Sequence, residues 1–240
     1  MKTSYKSIVA LIAGLLLISC SRKEASFYGS QYAIVKQGQN SKYFLADEGL
    51  YLYPKGDVWD SKWGTDGDRV FVAFYYNPYS VSETSTGVYV DVSNVIPIPT
   101  QEQALPSSVD TVGTSNFLDY TSGSDKYSVN SWVVQNYLTS HFFIRYSDKN
   151  SYHNFGFIEE PSLHRHDTLF LRLWHNTTET GKNNVADALV SLKLDAYQDY
   201  LYADSTIISI TYKAVNSIGS ESEKTSYAVY KRRNDNPFGW

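Results

Sequence analysis

Cysteine is nearly absent from this chain. Of 240 residues one is cysteine, Cys20, and methionine occurs only as Met1. A lone cysteine cannot close an intramolecular disulfide, and a free thiol in an oxidising compartment is a liability unless something consumes it. Basic charge is also in short supply. The formal net charge is −4, which argues against nucleic acid as a partner, since that needs basic stripes. Long helical periodicity is missing, as are a Gly-x-Ser-x-Gly elbow and a phosphate loop. What the chain has in plenty is tyrosine, 21 residues, with 11 phenylalanines and 5 tryptophans. Aromatic and β-branched residues without helical period predict an all-β protein.

The apolar run Ile8–Ile18 follows Lys2 and Lys6. As a helix it would reach roughly 16 Å at ~1.5 Å per residue, against the ~30 Å of a bilayer core. It reads as a secretory signal. Leu17-Ile18-Ser19-Cys20 resembles a bacterial lipobox, with a large aliphatic at −3 and a small residue before the cysteine. Lipidation of the Cys20 thiol and cleavage before it would leave a mature N-terminus held by two or three acyl chains, a stable anchor at about 0.8 kcal/mol per buried CH₂. Residues 1–19 are therefore read as leader and 20–30 as tether. Loss of the leader removes Lys2 and Lys6 and makes the chain more acidic. The expected location is the cell envelope, anchored to a membrane, with the outer membrane favoured. Ser21-Arg22-Lys23-Glu24 carries only a weak surface-export signal, so the membrane face stays open.

Residues 31–100 carry five strand candidates, Gln31–Lys36, Lys42–Ala46, Leu50–Tyr53, Arg69–Asn77 and Gly87–Ile96. Asp47-Glu48-Gly49 makes a tight turn with glycine where positive φ is needed. The fourth candidate is apolar on both faces, as a barrel strand is. Val88, Val90 and Val92 alternate with Tyr89, Asp91 and Ser93. Five short strands in this space fit a small OB-like barrel. Between the third and fourth, Trp59 and Trp63 stand four apart, so that one helical turn puts them on one side. They serve either as a lid on the barrel or as an aromatic platform for a ring-shaped ligand. Asp60, Asp66 and Asp68 lack EF-hand spacing and read as turn residues.

Pro97, Pro99 and Pro106 punctuate a polar join, read as a linker over 101–125. Residues 126–233 hold strand candidates at Gln135–Tyr146, His153–Ile158, Thr168–His175, Ala186–Leu194, Thr206–Ala214 and Ser226–Lys231, with another starting at Tyr127. About seven strands at this spacing predict an antiparallel, immunoglobulin-like β-sandwich. Residues 234–240 read as a frayed tail.

In order along the chain stand the lipobox, Tyr43-Phe44-Leu45-Ala46-Asp47-Glu48-Gly49, Gly67-Asp68-Arg69-Val70, Trp132 with Asn136-Tyr137-Leu138, His153, Leu171-Arg172-Leu173-Trp174-His175-Asn176 and Ile210-Thr211-Tyr212. In this succession the chain resembles the NigD-like lipoproteins of Bacteroidota. The resemblance implies an N-terminal OB-like domain and a C-terminal β-sandwich. It supplies no catalytic residues, and the family name points to bacteriocin production or immunity.

His164 and His166 lie two apart and could share a zinc with Asp167, Glu159 or Glu160, but they follow Pro161 in what reads as a turn. Glu159 and Glu160 are adjacent, so on a strand they face opposite ways. No catalytic residue, cofactor or metal is expected. The leading expectation is a non-enzymatic envelope lipoprotein that binds an envelope protein. The alternative is a glycan-binding lipoprotein using Trp59, Trp63, Trp132 or Trp174, and a metal-dependent hydrolase at His164 and His166 is the remote one.

Overall fold

The computed structural model describes residues 26–39, 41–56, 59–80, 87–108, 116–122, 125–147, 152–165, 167–177, 184–201 and 204–231. Cys20, His166 and the tail after Lys231 lie outside them. The chain divides into two compact units, Met1–Ile96 and Pro97–Trp240. Among the described residues there is no α-helix.

The first unit is built from β1 (Phe27–Gln37), β2 (Lys42–Ala46), β3 (Tyr51–Pro54), β4 (Arg69–Tyr76) and β5 (Gly87–Pro97). They close into a barrel in the order β1-β2-β3-β5-β4. The β3–β5 pairing is parallel, while β1 runs antiparallel to both β2 and β4. Alternation decides which side chains fill it. Ala33, Val35, Phe44, Leu52, Val70, Val72, Phe74, Val88 and Val90 form the buried interior. Gly49 takes φ 86° in the β2–β3 turn, where its N–H donates to the Ala46 carbonyl at 2.8 Å. A side chain is disfavoured at that φ.

β1 begins four residues before the sequence suggests. Phe27, Tyr28, Gly29 and Ser30 sit opposite Tyr76, Tyr75, Phe74 and Ala73 of β4. Gly-Ser reads locally as tether. The long β4 offers a ladder that extends the strand over it.

The second unit holds β6 (Thr100–Gln101), β7 (Phe117–Leu118), β8 (Tyr120–Ser122), β9 (Asp125–Tyr127), β10 (Asn130–Val134), β11 (Tyr137–Tyr146), β12 (His153–Glu159), β13 (Thr168–Thr177), β14 (Asn184–Lys193), β15 (Ser205–Val215) and β16 (Glu221–Lys231). One nine-stranded sheet runs β12-β13-β15-β7-β11-β14-β6, with β10 on β11 and β16 on β15, and β8 and β9 form a separate ribbon. Phe117, Leu138, Phe142, Phe157, Leu171, Leu192, Ile210 and Tyr212 belong to one enclosed core, as a sandwich requires. The β13–β15, β15–β7 and β14–β6 pairings are parallel, a detail that alternation within single strands does not encode.

Parts of the stretch read as linker are sheet. β6 pairs with β14 and β7 with β11 and β15, and Ala104, Phe117 and Leu118 are buried. Two-residue strands between prolines and polar loops are too short to register as a pattern. Gln135, read as the start of a strand, lies instead in a turn. Gln135 and Asn136 both take positive φ, 49° and 66°, and Val134 faces Tyr137 across them. This is the two-residue hairpin geometry with left-handed central residues, for which asparagine is suited.

Tyr197 ends a short 3-10 turn and is 1% exposed. Its hydroxyl accepts the Ala104 N–H at 2.9 Å. Burial pushes its pKa from 10.0 up to about 12, against a smaller lowering by that hydrogen bond. Because the folded value lies above the unfolded one, this contribution is complete below pH ~10 and is lost as pH rises towards ~12. The two-unit gap corresponds to about 2–3 kcal/mol. Alkaline denaturation series should show this loss, and it should shrink in Tyr197→Phe, which starts about 1–2 kcal/mol less stable for want of an acceptor at Ala104. An identical alkaline slope in the two proteins would rule Tyr197 out as its source.

Candidate functional site

Four tryptophans were the sequence-level candidates, and the structure brings two of them together. Asp60 caps the 3-10 turn Ser61–Trp63 by accepting the Lys62 N–H at 2.9 Å. The turn sets Trp59 and Trp63 edge to face, with centroids 5.3 Å apart. Both rings lie against Phe44 of the barrel interior, at 4.8 and 6.0 Å. Trp59 Nε1 donates to the Gly64 carbonyl at 3.1 Å, and Lys42 Nζ lies 5.5 Å from its ring centroid. These side chains close the barrel at the Val35–Phe44 end. Asp66 and Asp68 accept the N–H groups of Gln37 and Thr65, so they brace turns.

In the second unit Trp132 sits on β10 and Trp174 on β13, strands that are not neighbours. Both are partly buried. Trp174 faces Gly156 across the β12–β13 ladder. A Cβ at Gly156 would stand 2.9 Å from the indole nitrogen, so the glycine makes room for that ring.

The outside of the barrel carries an aromatic surface that the tryptophan candidates missed. Tyr43, Tyr51, Tyr53 and Tyr89 alternate with the inward Phe44, Leu52, Val88 and Val90, which turns them outward. Tyr43 lies 5.4 Å from Tyr51 and 5.6 Å from Tyr53. Tyr51 and Tyr53 are nearly parallel, 10° apart at 6.4 Å, and Tyr53 reaches Tyr89 at 5.6 Å. Tyr89 is 66% exposed. Gly87 makes this arrangement possible, since a Cβ there would stand 2.6 Å from the Tyr53 ring. Lys55, just past the end of β3, pairs with Asp91 of β5 at 2.7 Å. Burial, with Tyr51 and Tyr53 beside it, raises the Tyr43 pKa. The period-two alternation in 43–53 and 87–92 was the signal that could have found this surface.

His153, His164 and His175 are tied into structure. His164 Nδ1 accepts the Phe170 N–H at 3.1 Å, and its Nε2 lies 3.0 Å from Glu159 Oε1. Since Nδ1 is an acceptor, Nε2 carries the hydrogen and donates it. The imidazole has no lone pair left for a metal, which corrects the pairing of His164 with His166 as zinc ligands. Glu160 turns the other way, to Arg172 at 3.0 Å. His153 and His175 meet at 2.9 Å, with His175 fully buried and stacked on Phe155. Tyr212 donates to Asp119 Oδ2 at 2.5 Å while Lys224 pairs with Asp119 Oδ1 at 3.1 Å. Burial, then that bond, raises the Tyr212 pKa.

The barrel and the mixed-sheet sandwich define a two-domain all-β protein. Residues 111–227 match the family model of the NigD-like C-terminal β-sandwich domain. Over this stretch, just under half of the chain, the sequence is NigD-like. Solved structures share the fold along most of their length. A Bacteroides vulgatus protein of unknown function, DUF1344, is 16% identical with a TM-score of 0.60, covering 89% of this chain and 96% of its own. A NigD-like immunity protein from Bacteroides caccae is 17% identical, TM-score 0.57, covering 82% and 91%. A Bacteroides fragilis protein described as a candidate lipoprotein is 12% identical, TM-score 0.62, covering 88% and 100%. No curated protein matches the chain.

Proposed function

We propose that this is a non-enzymatic cell-envelope lipoprotein, tethered through Cys20, whose barrel presents a surface to an envelope protein. The observation that carries the reading is the outward tyrosine face of Tyr43, Tyr51, Tyr53 and Tyr89. Aromatic residues with a polar tip are enriched where proteins meet, because they bury large area at low entropic cost. The NigD-like family supports a binding role of the immunity type, and the similar Bacteroides caccae structure is named for one. The ties of His164, Glu159 and Glu160 favour binding over acid–base chemistry. The outer membrane is the proposed location.

The test is photo-crosslinking in intact envelopes with a reactive residue at position 89. A reproducible crosslinked protein is expected in the membrane fraction, its yield reduced at least about tenfold by Tyr53→Ala, as for a residue at an interface hot spot. No reproducible partner, or a yield indifferent to Tyr53→Ala, would overturn the reading.

A second reading is a glycan on the same surface, favoured by the near-parallel Tyr51 and Tyr53 rings. Saturable calorimetric heats with an oligosaccharide panel, lost in Tyr53→Ala, would select it over a protein partner.

A further inference from the structure

Among the described residues, the end of the barrel away from the tryptophan lid is open. β1 explains why. Its inward positions run Gly29, Gln31, Ala33 and Val35, in step with the inward Phe74, Val72 and Val70 of β4. The two nearest the mouth are thus a glycine, against which the Phe74 ring packs, and an amide. A cavity of about 210 Å³ lies at this mouth, lined by Gly29, Ser30, Gln31, Leu50, Phe74, Tyr76 and Val88. Its wall is mostly hydrocarbon and aromatic. Apolar cavities near ~150 Å³ are large enough to take up benzene, so this one has room for a single or fused ring.

One polar group aims the site. Gln31 Nε2 donates to Glu48 Oε2 at 3.1 Å, which fixes the amide plane. Among the described residues, no group donates to Gln31 Oε1. An inward amide at the rim of an apolar cavity is the pattern of a ligand site, in which few polar groups set orientation. Glu48 beside it disfavours an anionic ligand.

We infer that the open mouth of the barrel binds one uncharged ring carrying a single hydrogen-bond donor, phenol-like or indole-like. The ring enters the Leu50–Phe74–Val88 cavity and its donor meets Gln31 Oε1. It comes either as a small molecule or on the side chain of a bound protein. The site lies inside the barrel and does not rest on the outer tyrosine face, so either can fail alone.

The test is a titration of the purified protein with indole, followed by the methyl resonances of Leu50 and Val88. Saturable shifts are expected, with Kd on the order of 1 mM for so small a ligand. N-methylindole, which lacks the donor, should bind about five- to tenfold more weakly, the worth of one hydrogen bond. Val88→Phe should abolish binding by filling the cavity. If that variant fails to fold, Leu50→Phe, at a half-buried rim position, makes the same test. Tighter binding of N-acetyltryptophanamide than of indole would assign the ring to a protein partner, and the reverse to a small molecule. Absence of saturable shifts up to about 10 mM, a range that spans the affinity open to a ligand this size, would overturn the site. So would unaltered binding in a folded cavity-filling variant. Equal affinity for indole and N-methylindole would overturn the role of Gln31.

Discussion

Asp47→Ala should cost the barrel domain about 3–5 kcal/mol, the range for breaking a buried ion pair by removing one partner. Arg69 begins β4 and is 1% exposed. Its Nη1 and Nη2 meet the two carboxylate oxygens of Asp47, the second at 2.5 Å. Removing the carboxylate leaves a guanidinium out of water without its strongest partner. The fork also ties the β2–β3 turn to the start of β4, so the hairpin loses an attachment as well as a charge. At about 4–8 °C per kcal/mol for a domain of this size, the melting temperature should fall by roughly 12 °C or more. Amide exchange in β1, β2 and β4 reads the barrel apart from the sandwich. The double variant Asp47→Ala with Arg69→Met should recover part of the loss, because an apolar side chain replaces the stranded charge. A cost below about 1 kcal/mol for Asp47→Ala, the level of an exposed pair, would mean that the pair does not hold the barrel.

His164→Ala should destabilise the sandwich by about 2–4 kcal/mol. The loss has two parts, the Phe170 N–H left without its acceptor and the Glu159 carboxylate left without its donor, each about 1–2 kcal/mol for a largely buried group. The ring also packs edge-on against Tyr200 at 4.7 Å. Denaturant unfolding measures the change, with amide exchange at Phe170 as the local probe. Zinc should leave the unfolding midpoint of the unsubstituted protein where it was, since Nδ1 is already engaged. A zinc-dependent rise that disappears in His164→Ala would restore the metal reading.

The barrel was legible because its residues say the same thing twice. Val70, Val72 and Phe74 alternate within β4, and Asp47-Glu48-Gly49 marks where the chain turns before β3. The lid was legible from the spacing of Trp59 and Trp63. The Arg69–Asp47 fork was not, because the partners lie 22 residues apart and a charge does not name its partner. β6 and β7 were hidden by their length, and the parallel pairings by being properties of strand order rather than of any strand. The His164 tautomer depends on the Phe170 N–H six residues on. The cavity was hidden most simply: Gly29 looks like the end of a tether and Gln31 like the start of a strand until Phe74 and Val72 stand opposite them.

Trp59 and Trp63 come from the segment between two strands, yet their rings finish the interior against Phe44. Connecting segments ordinarily tolerate length changes. Here an insertion or deletion between Pro54 and Arg69 would withdraw hydrocarbon from the centre of the domain, with the consequence of truncating an interior side chain. Relatives that share this barrel should therefore hold both the length of that connection and an aromatic ring at its two lid positions.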